Sequence, residues 1–136
     1  MKFKPFENDG HVIGYTAENS GHIFFFGTQE GTLPRLIDSF SHLDFAHVKQ
    51  VHGDKLVESR AGNKDVREQA DAHWTTETAL APLIQTADCL PVLISHPSFS
   101  CAIHAGWRGV QNEIIKKSLM TLREKWGSLS GAKLAI

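Results

Sequence analysis

Apolar and polar positions alternate along this chain with two different periods, which predict helices in some segments and strands in others. The clearest helix is predicted over Val110 to Trp126, where apolar side chains recur at helical spacing with charged side chains between them. Gly127 follows as a stop signal. A shorter helix is predicted over Leu33 to Phe40, with Pro34 in its first turn. Its apolar face would consist of Leu36, Ile37 and Phe40.

Short apolar runs bounded by turn residues predict the strands. They lie around Val12 to Tyr15 and at His22 to Phe26, Phe45 to Val51, Leu56 to Val57, Leu80 to Ile84, Cys89 to Ser95 and Phe99 to Ile103, with another beginning at Lys133. Pro91 argues against a central sheet position within its run, because proline cannot donate a ladder hydrogen bond. Since strands and helices are mixed along the chain, the predicted fold class is α/β with an α+β-like mixed sheet.

Length and charge narrow the class of protein further. The 136 residues are enough for one domain with a hydrophobic core. The formal net charge of -1, with histidine neutral, gives no electrostatic case for a nucleic-acid or membrane partner. Apolar runs such as Ile23 to Gly27 are far too short to span a bilayer, and the N-terminus has no apolar signal region. We therefore predict a cytoplasmic protein.

Three residues that can bind a metal share one placement, at the point where an apolar segment meets a turn. They are His52, Cys89 and His104. Thiolate and imidazole suit zinc, and three protein ligands leave a fourth position for water or substrate. The spacing contains no short CxxC or HExxH signature, so alternatives stay open. His52 can be a turn residue, Cys89 a small buried hydrophobe, and His104 a donor to a backbone carbonyl.

A glycine-containing turn that opens the long predicted helix is a candidate anion site. Gly106 and Gly109 would let a ligand approach the backbone, where unpaired N–H groups attract anions. Arg108 adds a guanidinium suited to phosphate, the alternative being a solvent-exposed arginine of the first turn. Asp88 can orient a metal ligand or act as a general base, or it can serve in an Asx turn or helix cap.

The remaining histidine and cysteine side chains are predicted to be structural. Cys101 lies three residues before His104, so on a strand it would point to the opposite face, into the core. We predict His73 to be a surface or loop histidine, and a disulfide is not expected in a reducing compartment. No GxSxG, P-loop or GxGxxG motif is present, which leaves serine hydrolase, NTPase and dinucleotide functions without support.

Three segments carry a family resemblance when taken together and in this order. They are Gln50-Val51-His52-Gly53, Gln85 to Val92 (QTADCLPV) and His104 to Gly109 (HAGWRG). Together they closely resemble the multicopper polyphenol oxidoreductase (laccase-domain) family, which is understood as a family of purine nucleoside phosphorylases. Asp71-Ala72, followed by Thr75, resembles the family's ADG or ADA segment. The resemblance covers residues 45–136 well and residues 1–44 loosely.

The resemblance implies a layered α/β/α laccase-domain fold and assigns roles to individual residues. His52, Cys89 and His104 match the family's zinc ligands. Arg108 lies in the matching HAGWRG motif and is the candidate phosphate contact. The further candidates are Gly106, Gly109 and Gln50 for substrate or phosphate binding and Asp88, with Arg108, for catalysis.

The implied reaction is phosphorolysis of a purine nucleoside. Adenosine, inosine or methylthioadenosine would react with phosphate to give the free base and a ribose 1-phosphate. The same ligand set also suits a zinc-dependent adenosine deaminase or hydrolase, in which a zinc-bound water attacks the purine ring, or an inactive zinc-binding module. A His/Cys/His set argues against a laccase, which needs several copper centres and many more ligands.

The chain departs from the family pattern in two places. His73-Trp74 replaces the small or aliphatic residues usual in that segment, and the sequence ends at Ile136, where the family continues into a second half. We therefore expect residues 1–136 to be a single laccase-type domain, the apparently truncated N-terminal portion of a fold about twice as long. The sequence assigns neither a preferred nucleoside nor an oligomeric state.

Overall fold

In the computed structural model, which describes residues 1–65 and 67–136, the chain folds as two units, residues 1–44 and residues 45–136. The boundary coincides with the position from which the family resemblance becomes strong. That residues 1–136 form a single laccase-type domain is not tested by this division and stays a prediction. Each unit is described by itself below.

The first unit is an antiparallel sheet followed by one helix. Its elements are Lys4–Asn8 (β1), His11–Asn19 (β2), His22–Gly27 (β3) and Leu33–Ser39 (α1). Asp9-Gly10 and Ser20-Gly21 connect the strands, and all four residues have positive φ, which suits tight hairpin turns. Helix α1 confirms the predicted short helix. Its apolar face is narrower than predicted, because Leu36 is buried whereas Ile37 is 52% exposed.

The second unit is built on a five-stranded mixed sheet in the order β10-β8-β9-β6-β5. Its strands are Asp44–Ala46 (β4), Leu56–Glu58 (β5), Ala72–Thr75 (β6), Leu80–Pro82 (β7), Leu90–His96 (β8), Phe99–Ala105 (β9) and Lys133–Ala135 (β10), and its helices are Trp107–Gln111 (α2) and Ile114–Trp126 (α3). Strands β5 and β6 are parallel and the other pairs of this sheet are antiparallel, while β4 and β7 form a separate two-stranded sheet. The predicted mixed α/β class is confirmed.

Several predicted strands are shorter in the structure. Strand β4 ends at Ala46 instead of Val51, and β7 ends at Pro82 instead of Ile84. Beyond β4, Lys49 and Gln69 form an isolated parallel bridge, and the chain then enters the loop that contains the first candidate ligand.

Helix α3 covers one face of the large sheet. Ile114 and Leu122 are fully buried, and the Trp126 ring packs edge-on against Trp74 of β6 at a centroid distance of 5.0 Å. No helix in residues 1–65 and 67–136 is long and apolar enough to cross a membrane.

The prediction of one continuous helix from Val110 is wrong at its beginning. Glu113 lies between α2 and α3 with a φ of 59°, and a left-handed residue cannot continue a right-handed helix. The break lets α3 turn so that Ile114 faces the sheet, whereas Val110 of α2 is 55% exposed.

The prediction that Pro91 does not occupy a central position of the sheet is confirmed for that residue, although β8 as a whole is a central strand. Strand β8 lies between β9 and β10, and Pro91 pairs with His104 of β9. The described pairs between β8 and β10 involve only Leu93 to Ser95. The proline therefore lies in the part of β8 that has one paired neighbour, where its missing N–H interrupts no ladder on the other side.

His73 is not the surface or loop histidine that we predicted. It is fully buried on β6, with Nδ1 accepting a hydrogen bond from the Ser59 hydroxyl and Nε2 donating one to the Leu83 carbonyl, each at 2.8 Å. The carbonyl can only accept, so Nε2 carries the proton. Burial lowers the pKa of His73 to about 4, which keeps the ring neutral.

Candidate metal centre

The structure brings together His52, Cys89 and His104, the three residues that the sequence analysis singled out. One potential ligand atom of each lies within 4.8 Å of the other two. The His52 side chain is exposed, Cys89 is half-buried, and His104 is buried. The cluster therefore has one side open to a ligand and one side anchored in the protein.

Strand register accounts for two of the three positions. Strands β8 and β9 are antiparallel, and Leu90 pairs with Ala105. Cys89 immediately precedes β8, and His104 immediately precedes the last residue of β9. The register therefore places both side chains at the same end of the sheet, although they are 15 positions apart in the chain.

His52 comes from a loop whose conformation is unusual. Its φ is 59°, in the left-handed region that residues with a Cβ rarely adopt. The loop is also tied to the segment that leads to Cys89. Gln50 Nε2 donates to the Gln85 carbonyl and Gln85 N donates to Gln50 Oε1, both at 2.7 Å. These two bonds use one N–H and one oxygen lone pair of the Gln50 amide. Its predicted contact with substrate stays a prediction.

Asp71 contacts the candidate site, although the sequence analysis did not single it out as a site residue. Its carboxylate is fully buried. Oδ1 accepts hydrogen bonds from the backbone N–H groups of Val51 and Gly53 at 3.0 and 2.9 Å. Oδ2 accepts one from His52 N at 3.0 Å and one from His104 Nδ1 at 2.7 Å. The signal in the sequence was the position of this acidic residue directly before β6. The Asp71-Ala72 segment was noted only for its family resemblance.

These hydrogen bonds keep Asp71 ionised. Burial by itself would raise the pKa of the carboxyl group, but the bonds from His104 and from the loop N–H groups outweigh burial and lower the pKa below its usual range. A negative charge beside the cluster favours a bound cation. Because His104 Nδ1 is engaged by the carboxylate, Nε2 is the nitrogen left to bind an ion.

Gly106 lets the backbone pass close to all three candidate ligands. A Cβ there would lie 3.0 Å from His52 Cδ2, 3.3 Å from Cys89 Sγ and 3.8 Å from His104 Cε1. Gly109 has a different neighbourhood, since a Cβ would lie 3.2 Å from the Gly53 carbonyl oxygen and 3.3 Å from an Ile114 methyl carbon. The role of both glycines in phosphate binding stays a prediction.

The cluster fits a tetrahedral metal ion. Zinc bonds to nitrogen and sulfur imply ligand atoms roughly 3.3–3.6 Å apart. The candidate atoms lie within 4.8 Å of one another, which is close enough for the three residues to hold one ion. One thiolate and two imidazoles suit a borderline-soft ion, and three ligands leave a fourth position for another molecule.

The other predicted site residues lie near the cluster in sequence but at the surface. Arg108 is exposed on α2, with its guanidinium carbon 5.1 Å from the centre of the Trp107 ring, a cation–π arrangement. Asp88 is also exposed, and its Oδ1 lies 3.9 Å from Cys89 Sγ. The phosphate role of Arg108 and the proton role of Asp88 stay predictions.

Cys101 belongs to the core, as predicted. It is 2% exposed within the cluster of buried residues on β9, and burial raises the pKa of its thiol. Both cysteines are free thiols. Cys89 is therefore the thiol that can reach a ligand.

Comparison with known proteins gives the cluster a family context. Residues 33–136 match the family described as multi-copper polyphenol oxidoreductase laccase. A purine nucleoside phosphorylase of Clostridium acetobutylicum is 29% identical over 128 residues, which cover 91% of this chain and 53% of that protein. A purine nucleoside phosphorylase of Aquifex aeolicus is 43% identical over 77 residues, covering 56% of this chain and 36% of that protein. The chain thus spans about half the length of the Clostridium relative.

Solved structures show the same fold at lower sequence identity. YlmD from Geobacillus stearothermophilus superposes with a TM-score of 0.62 and 22% identity, covering 74% of this chain and 42% of that one. The Neisseria meningitidis protein NMB0706 gives a TM-score of 0.59 and 23% identity, covering 76% and 43%. Because the family match extends over most of the chain and the fold agrees, this chain belongs to the multi-copper polyphenol oxidoreductase laccase family.

Proposed function

We propose that this chain carries the metal centre of a zinc-dependent purine nucleoside phosphorylase. The substrates would be phosphate and adenosine, inosine or methylthioadenosine. The observation that supports the proposal most is the convergence of His52, Cys89 and His104 within 4.8 Å, in a chain that is similar over 91% of its length to a purine nucleoside phosphorylase. That similarity spans 53% of the relative, so the activity is proposed for the whole protein.

The ligand set defines how zinc would be bound. His104 would bind through Nε2, Cys89 through its thiolate and His52 through a ring nitrogen. When bound, zinc polarises an oxygen or activates a water in its fourth position. A location in the reducing cytoplasm suits this proposal, because a ligand thiol must stay reduced.

The surrounding side chains would bind and orient the substrates. In phosphorolysis a bond forms between a phosphate oxygen and C1′ of the ribose, and the bond from C1′ to the base nitrogen breaks. The base leaves with that electron pair and gains the proton that the phosphate loses. Arg108 would bind phosphate through its exposed guanidinium, beside the backbone at Gly106 and Gly109. Asp88 would transfer the proton, and Gln50 would contact the nucleoside.

Base release from inosine tests the proposal. The complete gene product, loaded with zinc, is expected to release hypoxanthine and ribose 1-phosphate only when phosphate is present. His52→Ala should lower this activity at least about 100-fold by removing a ligand of the catalytic ion. Gly62→Ala is the control, since a Cβ at Gly62 has nothing within 4 Å. Absence of phosphate-dependent release, with no effect of His52→Ala, would contradict the proposal.

A zinc-dependent deaminase or hydrolase is the second candidate. The observation in its favour is the open side of a three-ligand cluster, the arrangement that activates water in zinc enzymes. It predicts ammonia release from adenosine without any requirement for phosphate. If the chain is instead an inactive zinc-binding module, zinc should raise its melting temperature while neither inosine nor adenosine is turned over.

A further inference from the structure

We propose that Asp71 is the positioning residue of the metal centre, and that its one carboxylate fixes both histidine ligands at once. Oδ2 accepts hydrogen bonds from His52 N at 3.0 Å and from His104 Nδ1 at 2.7 Å. The inference deepens the proposed function, because it rests on that zinc site. It concerns how the chain builds the site before any ion is bound.

The first part of the argument is the loop that carries His52. A left-handed conformation is unfavourable for a histidine, so something must stabilise a φ of 59°. Three consecutive backbone N–H groups, those of Val51, His52 and Gly53, converge on the Asp71 carboxylate at 2.9–3.0 Å. Charge-assisted bonds of this kind are stronger than neutral ones. The carboxylate therefore selects the loop conformation that directs His52 toward the cluster.

The second part concerns the proton on His104. An ionised carboxylate can only accept hydrogen bonds, so the short contact with Asp71 requires the proton on Nδ1. In a neutral ring Nε2 then has the lone pair that a metal needs. Both side chains are buried, at 3% exposure for His104 and 0% for Asp71, so water does not compete for this bond.

Replacement of Asp71 by asparagine changes the bond to His104 while it keeps two of the three loop bonds. If the new NH2 group stood at the Oδ1 position, it would face two backbone donors, those of Val51 and Gly53. At the Oδ2 position it would face one backbone donor and the His104 ring. With the NH2 group at the Oδ2 position, the remaining oxygen keeps the bonds from Val51 N and Gly53 N. The NH2 group then donates to His104 Nδ1, which becomes an acceptor. The proton then moves to Nε2, the nitrogen needed by the ion.

Zinc affinity is the first measurement, made on the full chain by competition with a chromogenic chelator. Asp71→Asn is expected to bind zinc about 10- to 100-fold more weakly than the wild type. Ser59→Ala is the matched control, because it removes a different buried hydrogen bond, to His73 on the same sheet, and should leave zinc affinity unchanged. Thermal unfolding of both variants separates lost metal binding from lost folding. Wild-type affinity in a folded Asp71→Asn protein would overturn the proposal.

The tautomer of His104 is the second measurement, and its deciding observation is made on the wild type. ¹⁵N NMR of the metal-free wild type at pH 9 should show the proton on Nδ1, the nitrogen that contacts Asp71 Oδ2. Asp71→Asn should show it on Nε2, with His104→Gln used for assignment. A proton on Nε2 in the wild type overturns the proposal. Zinc binding without phosphorolysis contradicts the proposed function alone, whereas a wild type that binds no zinc contradicts both.

Discussion

At the scale of single residues, the candidate metal centre depends on a residue without a side chain, Gly106, as well as on the residues that can bind the ion. Gly106 has a φ of −73°, an ordinary value for any residue, so the backbone itself does not require glycine there. The requirement comes from its neighbours, since a Cβ would lie 3.0 Å from His52 Cδ2 and 3.3 Å from Cys89 Sγ. Space, and not conformation, explains this glycine.

Gly106→Ala should therefore weaken zinc binding while the protein stays folded. The added methyl group would push two ligands away from the ion, and overpacking of this kind corresponds to about a tenfold loss of affinity. Isothermal titration with zinc measures the effect. Gly62→Ala is the matched control, because a Cβ there meets nothing within 4 Å. Equal zinc affinities of the two variants would show that the close approach at Gly106 has no consequence.

At the scale of elements, the antiparallel pairing of β8 and β9 sets where two of the ligands meet. Leu90 opposite Ala105 places the residue before β8 beside the end of β9. A shift by one residue would reverse the faces of every side chain in β9, including His104 and the core residue Cys101. The break between α2 and α3 belongs to the same scale, because it separates the exposed turn with Arg108 from the helix that covers the sheet.

Glu113 gives a test of that break. Its left-handed φ of 59° is unfavourable for glutamate and free of strain for glycine. Glu113→Gly should raise the free energy of unfolding by about 0.5–1 kcal/mol, since the exposed ion pair with Lys116 that it removes contributes little. Urea unfolding measures the change. Glu113→Ala removes the same ion pair but keeps the strain, so equal stabilisation by both variants would contradict this explanation.

At the scale of the whole molecule, all three candidate ligands and Asp71 lie in the second unit, residues 45–136. The same unit contains a buried neutral histidine that links its stability to pH. His73 bonds to Ser59 of the loop after β5 and to Leu83 beyond β7, so it joins three parts of the unit. Protonation of its ring would place an unpaired charge in the core.

The free energy of unfolding should therefore fall as the pH falls from about 6.5 toward 4. Burial lowers the pKa of His73 to about 4 in the folded state, whereas the unfolded imidazole, with a pKa of 6.5, takes up a proton earlier. If the His73 imidazole is fully protonated in the unfolded chain and neutral in the folded chain, the free energy of unfolding falls by about 3 kcal/mol.

Urea unfolding at pH 7 and pH 4.5 measures this dependence. His73→Gln removes the titrating group while keeping a polar side chain, so the stability difference between the two pH values should become smaller by most of that amount. A difference as large in His73→Gln as in the wild type would show that His73 does not set the pH dependence.

The sequence by itself determined the mixed α/β class, the short helix α1, most of α3 and, through three motifs, the set of candidate ligands. These features are local or are encoded in residue types at fixed spacing. Only the tertiary structure decided that Asp71 binds the loop and His104, because those hydrogen bonds join residues 18 to 33 positions apart. It also decided the burial of His73, since its partners lie 14 and 10 positions away. A local pattern shows which groups can donate or accept, whereas strand register determines which of them meet.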